Sequence, residues 1–185
     1  MDPREIDTLI MECAKSLAVA HDKRDLYQKI VNTPFMYKRE TTLLGLGIIV
    51  LLLKNDDQHT LDRVALSRTE RAQGAVQISV KKFEDIRIPL DAKENILIHA
   101  LDTDEFKMIT DWKYMFIPAL TAQEARLNQA GAAIDCSVVY PLSRLPGGGV
   151  MIFSFFEPMS TLTGLHHRFM RSYADACTTA LNVLK

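Results

Sequence analysis

Apolar residues recur at spacings of three and four positions near both ends of the chain. In the first stretch they fall at Ile6, Leu9, Ile10, Cys13, Leu17 and Ala20. In the last stretch they fall at Leu162, Leu165, Phe169, Tyr173, Ala176, Ala180 and Leu184. This spacing places apolar side chains on one face of a helix, and Pro3 suits the opening turn of the first helix. The pattern therefore predicts an amphipathic helix at each end of the chain, the second one still running at Lys185.

Between these helices the apolar residues form runs and alternations that are typical of strands. The run 43–53 is continuous and has β-branched residues at its centre, which predicts a strand covered on both faces. The segment 60–69 is expected to return beside it as the second strand of a hairpin. Further strands are predicted at 86–90, 107–110, 134–142 and 150–156.

Two shorter helices are predicted between the strands. Asp91 suits the N-cap of a helix over 92–101, and Thr121 suits the start of another, which Gly131 is expected to end. The polar segment 71–84 predicts an irregular surface connection. This order favours an α/β (α+β) domain, with helices on the faces of a mainly antiparallel sheet, over a doubly wound nucleotide-binding fold.

The composition fits one globular domain and excludes several kinds of partner. The chain has 185 residues, of which 48% are hydrophobic and 24% are charged. Its formal net charge is −1 and it has no basic stripe, which argues against binding to nucleic acid. The longest apolar run is shorter than the roughly 20 residues that a membrane-spanning helix needs. Three widely spaced cysteines indicate reduced thiols and a cytoplasmic protein.

Two blocks of residues carry a family resemblance. The first is Arg87-Ile88-Pro89-Leu90-Asp91, followed by Asn95, Ala100 and Thr110-Asp111-Trp112. The second is Ser137-Val138-Val139-Tyr140-Pro141-Leu142, then a glycine turn, Gly149-Val150-Met151-Ile152-Phe153-Ser154 and a long helix. In order and spacing these blocks resemble a GAF domain over roughly residues 25–182. A PAS domain is the nearest alternative, which the closing block disfavours.

The resemblance implies a fold and a division of the chain. It implies a six-stranded antiparallel sheet sandwiched by helices. The chain would then be a single domain over 1–185, in which residues 1–24 form a helical extension and the core, including the last helix, spans roughly 25–182.

The resemblance also implies a sensory or regulatory module of a signalling protein, which binds a small molecule, mediates dimerisation, or both. In the resembled fold the segment Thr110, Asp111 and Trp112 borders the ligand cavity and Tyr140 lies on a nearby strand. These four residues are therefore the candidate ligand-binding site. Trp112 could cover a planar ligand, although a core tryptophan with a bonded N–H is the favoured alternative.

The apolar stripes of the end helices are candidates for self-association or for packing on the sheet. They comprise Ile6, Leu9, Cys13 and Leu17 on the first helix, and Phe169, Tyr173 and Leu184 on the last. The first stripe is narrow, so it can serve the sheet or a partner chain but not both.

Other chemistry finds little support in the sequence. Cys136 lies on an apolar strand, where a buried thiol is expected to be inert, so a redox enzyme is an alternative rather than the main hypothesis. A ligand-free interaction scaffold is the other alternative. The adjacent His166 and His167 point to different faces of a helix and cannot share one zinc ion.

The sequence also departs from cofactor-binding members of the resembled family. The helix at 122–129 lacks the Cys-His pair that bilin-binding members present, so a covalent bilin is not expected. Haem finds no support either, and the identity of any ligand stays unknown. The glycines 147–149 precede a strand rather than a helix, so they predict a hairpin turn rather than a phosphate cradle.

Overall fold

A six-stranded antiparallel sheet lies at the centre of the computed structural model, which describes residues 1–184. The strands are β1 (Leu46–Asn55), β2 (Thr60–Leu66), β3 (Arg87–Pro89), β4 (Lys107–Ile109), β5 (Cys136–Pro141) and β6 (Gly149–Phe155). Their order across the sheet is β3-β2-β1-β6-β5-β4, and each neighbouring pair is antiparallel. The apolar run that predicted a central strand forms β1, which is buried on both faces.

Helices cover both faces of this sheet. They are α1 (Pro3–Ala18), α2 (Lys23–Asn32), α3 (Lys38–Leu43), α4 (Glu70–Ile78), α5 (Ile96–Thr103), α6 (Lys113–Phe116), α7 (Ala122–Ala132) and α8 (Gly164–Val183). Together with the antiparallel sheet, they confirm the predicted α/β (α+β) architecture and its amphipathic end helices. Within residues 1–184, no helix combines the length and the apolar character needed to cross a membrane.

Helices α1, α2 and α8 pack on one face of the sheet. The stripe of α1 is buried there against Phe169 and Tyr173 of α8. The Tyr173 hydroxyl donates a hydrogen bond to the Ile30 carbonyl oxygen at 2.7 Å, which joins α8 to α2. Near the first turns of α8 and α1, the Arg168 guanidinium donates to both carboxylate oxygens of Asp7 at 3.0 and 2.7 Å. Each fully buried side chain of this size contributes about 1.5–3 kcal/mol to stability.

Helices α4, α5, α6 and α7 form a second core on the opposite face. Helices α4 and α7 approach each other closely at Gly74 and Gly131, where a Cβ on Gly74 would lie 2.3 Å from the Gly131 carbonyl oxygen. The buried Asn95 side chain caps α5 through the Leu97 N–H. Its amide also donates to the carbonyl oxygens of Met115 and Ile117 at 2.8 and 2.7 Å. This one side chain therefore fixes α5 against the segment that carries α6.

The structure corrects several predicted boundaries. The segment 71–84 is not an irregular connection, because most of α4 lies within it. The N-cap of α5 is Asn95 rather than Asp91. Helix α7 passes through Gly131 and ends at Ala132, since Ala133 takes the left-handed conformation. Helix α8 ends at Val183 with Leu184 as its C-cap, so the predicted continuation of the helix already fails at Leu184; Lys185 lies outside the described residues.

The division of the chain into a helical extension over 1–24 and a core over 25–182 stays a prediction. In the structure, α1 belongs to the same buried cluster as the sheet and α8. Its removal would expose the apolar face of α8, so we expect α1 to be needed for folding.

Candidate functional site

A cavity lies between the sheet and the helices of its second core. Its apolar walls include Ile48 and Val50 of β1, Ile152 of β6, Trp112, and Met115 and Phe116 of α6. The space left for the centres of water-sized molecules is about 30 Å³. That space holds one or two water molecules, so a larger ligand requires a wall to move.

Arg63 of β2 extends into this cavity between two aromatic rings. Its guanidinium carbon lies 4.0 Å from the ring centre of Phe83 and 5.1 Å from that of Phe116. Its Nε is buried and has no hydrogen-bond partner among residues 1–184. Burial lowers the pKa of Arg63 to about 9, and the charge of Glu84 opposes this shift only in part. Arg63 as a whole is only partly buried, but a buried N–H without a hydrogen-bond partner is costly, which makes its Nε the most unusual group in the cavity.

A β-bulge that follows Arg63 on β2 separates it from the residues that face the other core. In the pairing of β1 with β2, Leu51 lies opposite Ala65 and Leu52 lies opposite Arg63, which leaves Val64 as the extra residue. Ala65 therefore packs in the core beneath α1 and α8, while Arg63 faces the other side of the sheet. Such bulges redirect side chains and are frequent beside functional sites.

The other polar groups of the cavity are already engaged. The Lys81 ammonium donates to the Ala119 carbonyl oxygen at 2.6 Å. The Asn128 amide donates to the Ser79 hydroxyl oxygen at 3.2 Å, and that hydroxyl donates to the Lys81 carbonyl oxygen at 2.8 Å. The guanidinium edge of Arg63 is thus the polar feature that is left to recognise a ligand.

Trp112 is both a core residue and a wall of the cavity. It is 6% exposed, and its indole N–H donates to the Ser137 hydroxyl oxygen at 2.9 Å. The Ser137 and Ser154 hydroxyls are 2.8 Å apart, which continues the buried network. Its ring meets Phe116 edge to face, with centres 5.6 Å apart. Trp112 therefore has the hydrogen-bonded N–H that is expected of a core tryptophan, and its ring also lines the cavity, where it could contact a ligand.

Thr110 and Asp111 lie next to Trp112 but do not line the cavity. The Asp111 carboxylate accepts hydrogen bonds from Arg126 Nε and Nη2 at 2.9 and 2.8 Å. Burial opposes the ionisation of Asp111, but hydrogen bonds from Arg126 and the Lys113 backbone outweigh it and lower the pKa. The Thr110 carbonyl oxygen accepts from the Gln129 side chain at 2.9 Å. Both residues therefore anchor the Trp112 segment to α7.

Tyr140 lies on the other face of the sheet from Trp112, so the two side chains do not share this cavity. Side chains alternate along β5, so Cys136, Val138 and Tyr140 all face α1 and α8. The Tyr140 ring stacks on Phe106 at 5.7 Å, and its hydroxyl accepts from Arg171 Nε at 3.4 Å. The sequence resemblance had placed Tyr140 on a nearby strand without fixing which face of the strand it occupies.

The residues proposed for helix packing or self-association are mostly buried within the chain. Ile6, Leu9, Cys13, Leu17, Phe169 and Tyr173 are each at most 2% exposed, and Leu184 packs against the same cluster. Their packing on the sheet and on each other leaves these six side chains unavailable to a partner. A role for the end helices in self-association stays a prediction that would rest on other side chains of α1 and α8.

The thiols and histidines do not assemble a reactive centre in the described part of the chain. Burial raises the pKa of the Cys136 thiol to about 11, and its Sγ donates to the Glu157 carbonyl oxygen at 3.5 Å. The ring of His166 meets Phe155 and that of His167 meets Phe106. No group of three or more His, Cys, Asp or Glu side chains placed to hold a metal ion occurs within residues 1–184.

Comparison with known proteins identifies the fold. No protein-family model matches the sequence, and no curated protein matches it. The GAF domain of a Coxiella burnetii phosphoenolpyruvate-protein phosphotransferase is similar in structure, with a TM-score of 0.68 and 12% identity over 99% of this chain and 96% of that one. The corresponding Acinetobacter domain gives 0.64 and 8%, over 99% and 95% of the two chains. The chain therefore has the GAF fold, as its motifs predicted.

An enzyme shares this architecture. The free methionine-R-sulfoxide reductase of Neisseria meningitidis, solved in complex with its substrate, has a TM-score of 0.60 and 10% identity, over 98% of this chain and 92% of that one. These low identities establish a common fold, and function has to be argued from the residues of this chain.

Proposed function

We propose that this protein is a sensory or regulatory module that binds a small molecule in the cavity between the sheet and helices α4, α6 and α7. The observation that carries the proposal is the buried Nε of Arg63, which lies among apolar and aromatic walls and has no hydrogen-bond partner within the described range 1–184. Binding pockets for small molecules combine mainly apolar walls with a few polar groups that fix the orientation of the ligand. The similar structure of a reductase solved in complex with its substrate supports ligand binding by this fold.

An enzymatic role through Cys136 receives less support than ligand binding. The thiolate is the reactive form of cysteine, and the raised pKa keeps Cys136 protonated near neutral pH. Its side chain also faces the core beneath α8, on the opposite side of the sheet from the cavity.

A ligand-free scaffold is the second candidate, and the small free volume of about 30 Å³ favours it. The buried Nε of Arg63 speaks against it, because a cavity that never receives a ligand gains nothing from a buried donor that has no partner among residues 1–184. In either case we place the protein in the cytoplasm, since its three cysteines are free thiols.

Native mass spectrometry of protein purified without denaturant tests the proposal. The variant Ala75→Phe fills the cavity, since Ala75 lines it, and Ala18→Phe is the matched control at an exposed position of α1. We expect a bound small molecule on the natural protein and on Ala18→Phe, and none on Ala75→Phe. Bare chains in all three samples would favour the scaffold, and equal binding by all three would place the ligand elsewhere.

A further inference from the structure

The edge of the Arg63 guanidinium identifies a class of ligand. We propose that the cavity receives a small, largely apolar molecule that carries a carboxylate, and that Arg63 binds this carboxylate. This inference rests on the proposed ligand-binding function and makes it specific.

The two aromatic rings determine which part of Arg63 can bind. Phe83 and Phe116 lie 4.0 and 5.1 Å from the guanidinium carbon, and an arginine beside an aromatic ring usually presents its flat face to it. The N–H groups lie in the plane of the guanidinium and point away from such contacts. Nε, which belongs to this edge, has no partner among residues 1–184. The arginine is thus held in place while a donor stays free.

A carboxylate fits this edge better than a phosphate does. Two parallel N–H groups of a guanidinium match the two oxygens of a carboxylate, and one negative charge balances one positive charge. A phosphate carries up to two charges and more acceptors, which need further donors. The one other cation that lines the cavity, Lys81, already donates to the Ala119 carbonyl oxygen. The remaining walls are mostly apolar, which suits an apolar body on the ligand.

One wall of the cavity is suited to move when a ligand enters. From Val76 to Asp85, only Ser79 and Phe83 are partly buried, and the other residues are exposed. Segments with so few buried side chains open at a low free-energy cost. The opposite wall is the buried sheet, which is rigid by comparison. We therefore expect a ligand to displace the segment 76–85, including Phe83, while Arg63 stays on β2.

Matched pairs of an acid and its amide test this inference. The probes are benzoate with benzamide, phenylacetate with phenylacetamide, and inorganic phosphate, each at constant ionic strength and pH. Binding is followed by the fluorescence of Trp112, the one tryptophan of the chain, which lines the cavity. We expect an acid to bind at least about tenfold more tightly than its amide, because the charge-assisted pair adds to the shared apolar contacts.

Variants at position 63 assign the preference to the arginine. Arg63→Met keeps an apolar chain of similar length and is expected to bind acid and amide equally. Arg63→Lys keeps the charge without the planar edge and is expected to retain only part of the preference. Far-ultraviolet circular dichroism confirms that each variant folds, and Arg63→Gln replaces Arg63→Met if that variant does not.

The outcomes separate this inference from the proposed function. Equal binding of acids and amides, or tighter binding of phosphate, would overturn the carboxylate class and leave ligand binding standing. The carboxylate class would also be wrong, and ligand binding would still stand, if no acid binds while native mass spectrometry detects a bound molecule. If no probe binds and no bound molecule is detected, both proposals are wrong.

Discussion

At the scale of single residues, the unusual feature of this protein is a partly buried arginine, Arg63, whose buried Nε lies among apolar and aromatic side chains. The Arg63 guanidinium is desolvated by the second core and its pKa is lowered to about 9. Contacts with Phe83 and Phe116 offset part of this cost. A residue kept at such a cost in a cavity is better explained by ligand binding than by stability.

This account predicts that Arg63 contributes little to the stability of the free protein. Arg63 makes no salt bridge within residues 1–184, so replacing it by an apolar residue of similar length removes a desolvation cost and breaks no ion pair. We expect Arg63→Met to leave the free energy of unfolding unchanged, or to raise it by about 1–2 kcal/mol, in urea titrations at pH 7. Arg68→Met, at an exposed position, is the control and should stay within about 0.5 kcal/mol. A loss of more than about 1 kcal/mol in Arg63→Met alone would show that the arginine is structural.

The sequence contained part of the information that locates Arg63. Leu61 and Arg63 are two residues apart on a strand, so alternation places both on the same face, and Leu61 is buried there. The bulge at Val64 reverses the alternation after Arg63, and Ala65 faces the other core. The positions of bulges depend on strand pairing, which a single sequence does not reveal. The sequence alone therefore did not mark Arg63 as a candidate site residue.

At the scale of elements, the strands were easier to predict than the helices around the cavity. The continuous apolar run of β1 and the glycine turn before β6 are strong local signals. Helix α4 was missed because its packed positions use small residues, since Ala72 is buried and Gly74 contacts α7, whereas Val76 and Ile78 are about half exposed. Its apolar residues therefore do not mark the face that packs on α7.

The close approach of α4 and α7 gives a prediction at this scale. In Gly74→Ala the new Cβ would lie 2.3 Å from the Gly131 carbonyl oxygen, so the two helices have to separate. We expect a loss of about 1–3 kcal/mol in the free energy of unfolding, as for other overpacked sites. The control is Gly164→Ala in the first turn of α8, where a Cβ meets no atom within 4 Å and alanine favours the helix.

Urea titrations of the two glycine variants decide this prediction. Similar stabilities for Gly74→Ala and Gly164→Ala would contradict the close packing of α4 on α7. Because Ala75 and Asn128 of these helices line the cavity, we also expect Gly74→Ala to change how ligands bind.

At the scale of the whole molecule, the sheet separates two cores with different tasks. The core beneath α1, α2 and α8 is filled by large side chains such as Phe153, Phe169 and Tyr173. The core beneath α4 to α7 contains the cavity and Arg63. Neighbouring residues of β1 belong to different cores, since Ile49 faces α8 and Val50 faces the cavity. If ligand binding moved β1, the packing of β1 against α1 and α8, the two end helices, would therefore change as well.

This arrangement also changes the expected role of the end helices. Their apolar stripes are buried within the chain, since α1 and α8 pack on each other and on the sheet. The same side chains are therefore not available to bind a partner chain. The resemblance to a family suggested the fold correctly, but it could not say which polar group serves the cavity of this chain. That answer depends on the bulge in β2 and on the segment 76–85.

The emission of Trp112 tests the central claim, that a small molecule occupies the cavity, most directly. Protein purified without denaturant is compared with the same protein after unfolding in urea, dialysis and refolding. The account predicts that the emission changes when the small molecules are removed and recovers when the dialysed fraction is added back. Ala75→Phe should show neither change. Identical emission from purified and refolded natural protein, with and without the added fraction, would contradict the claim.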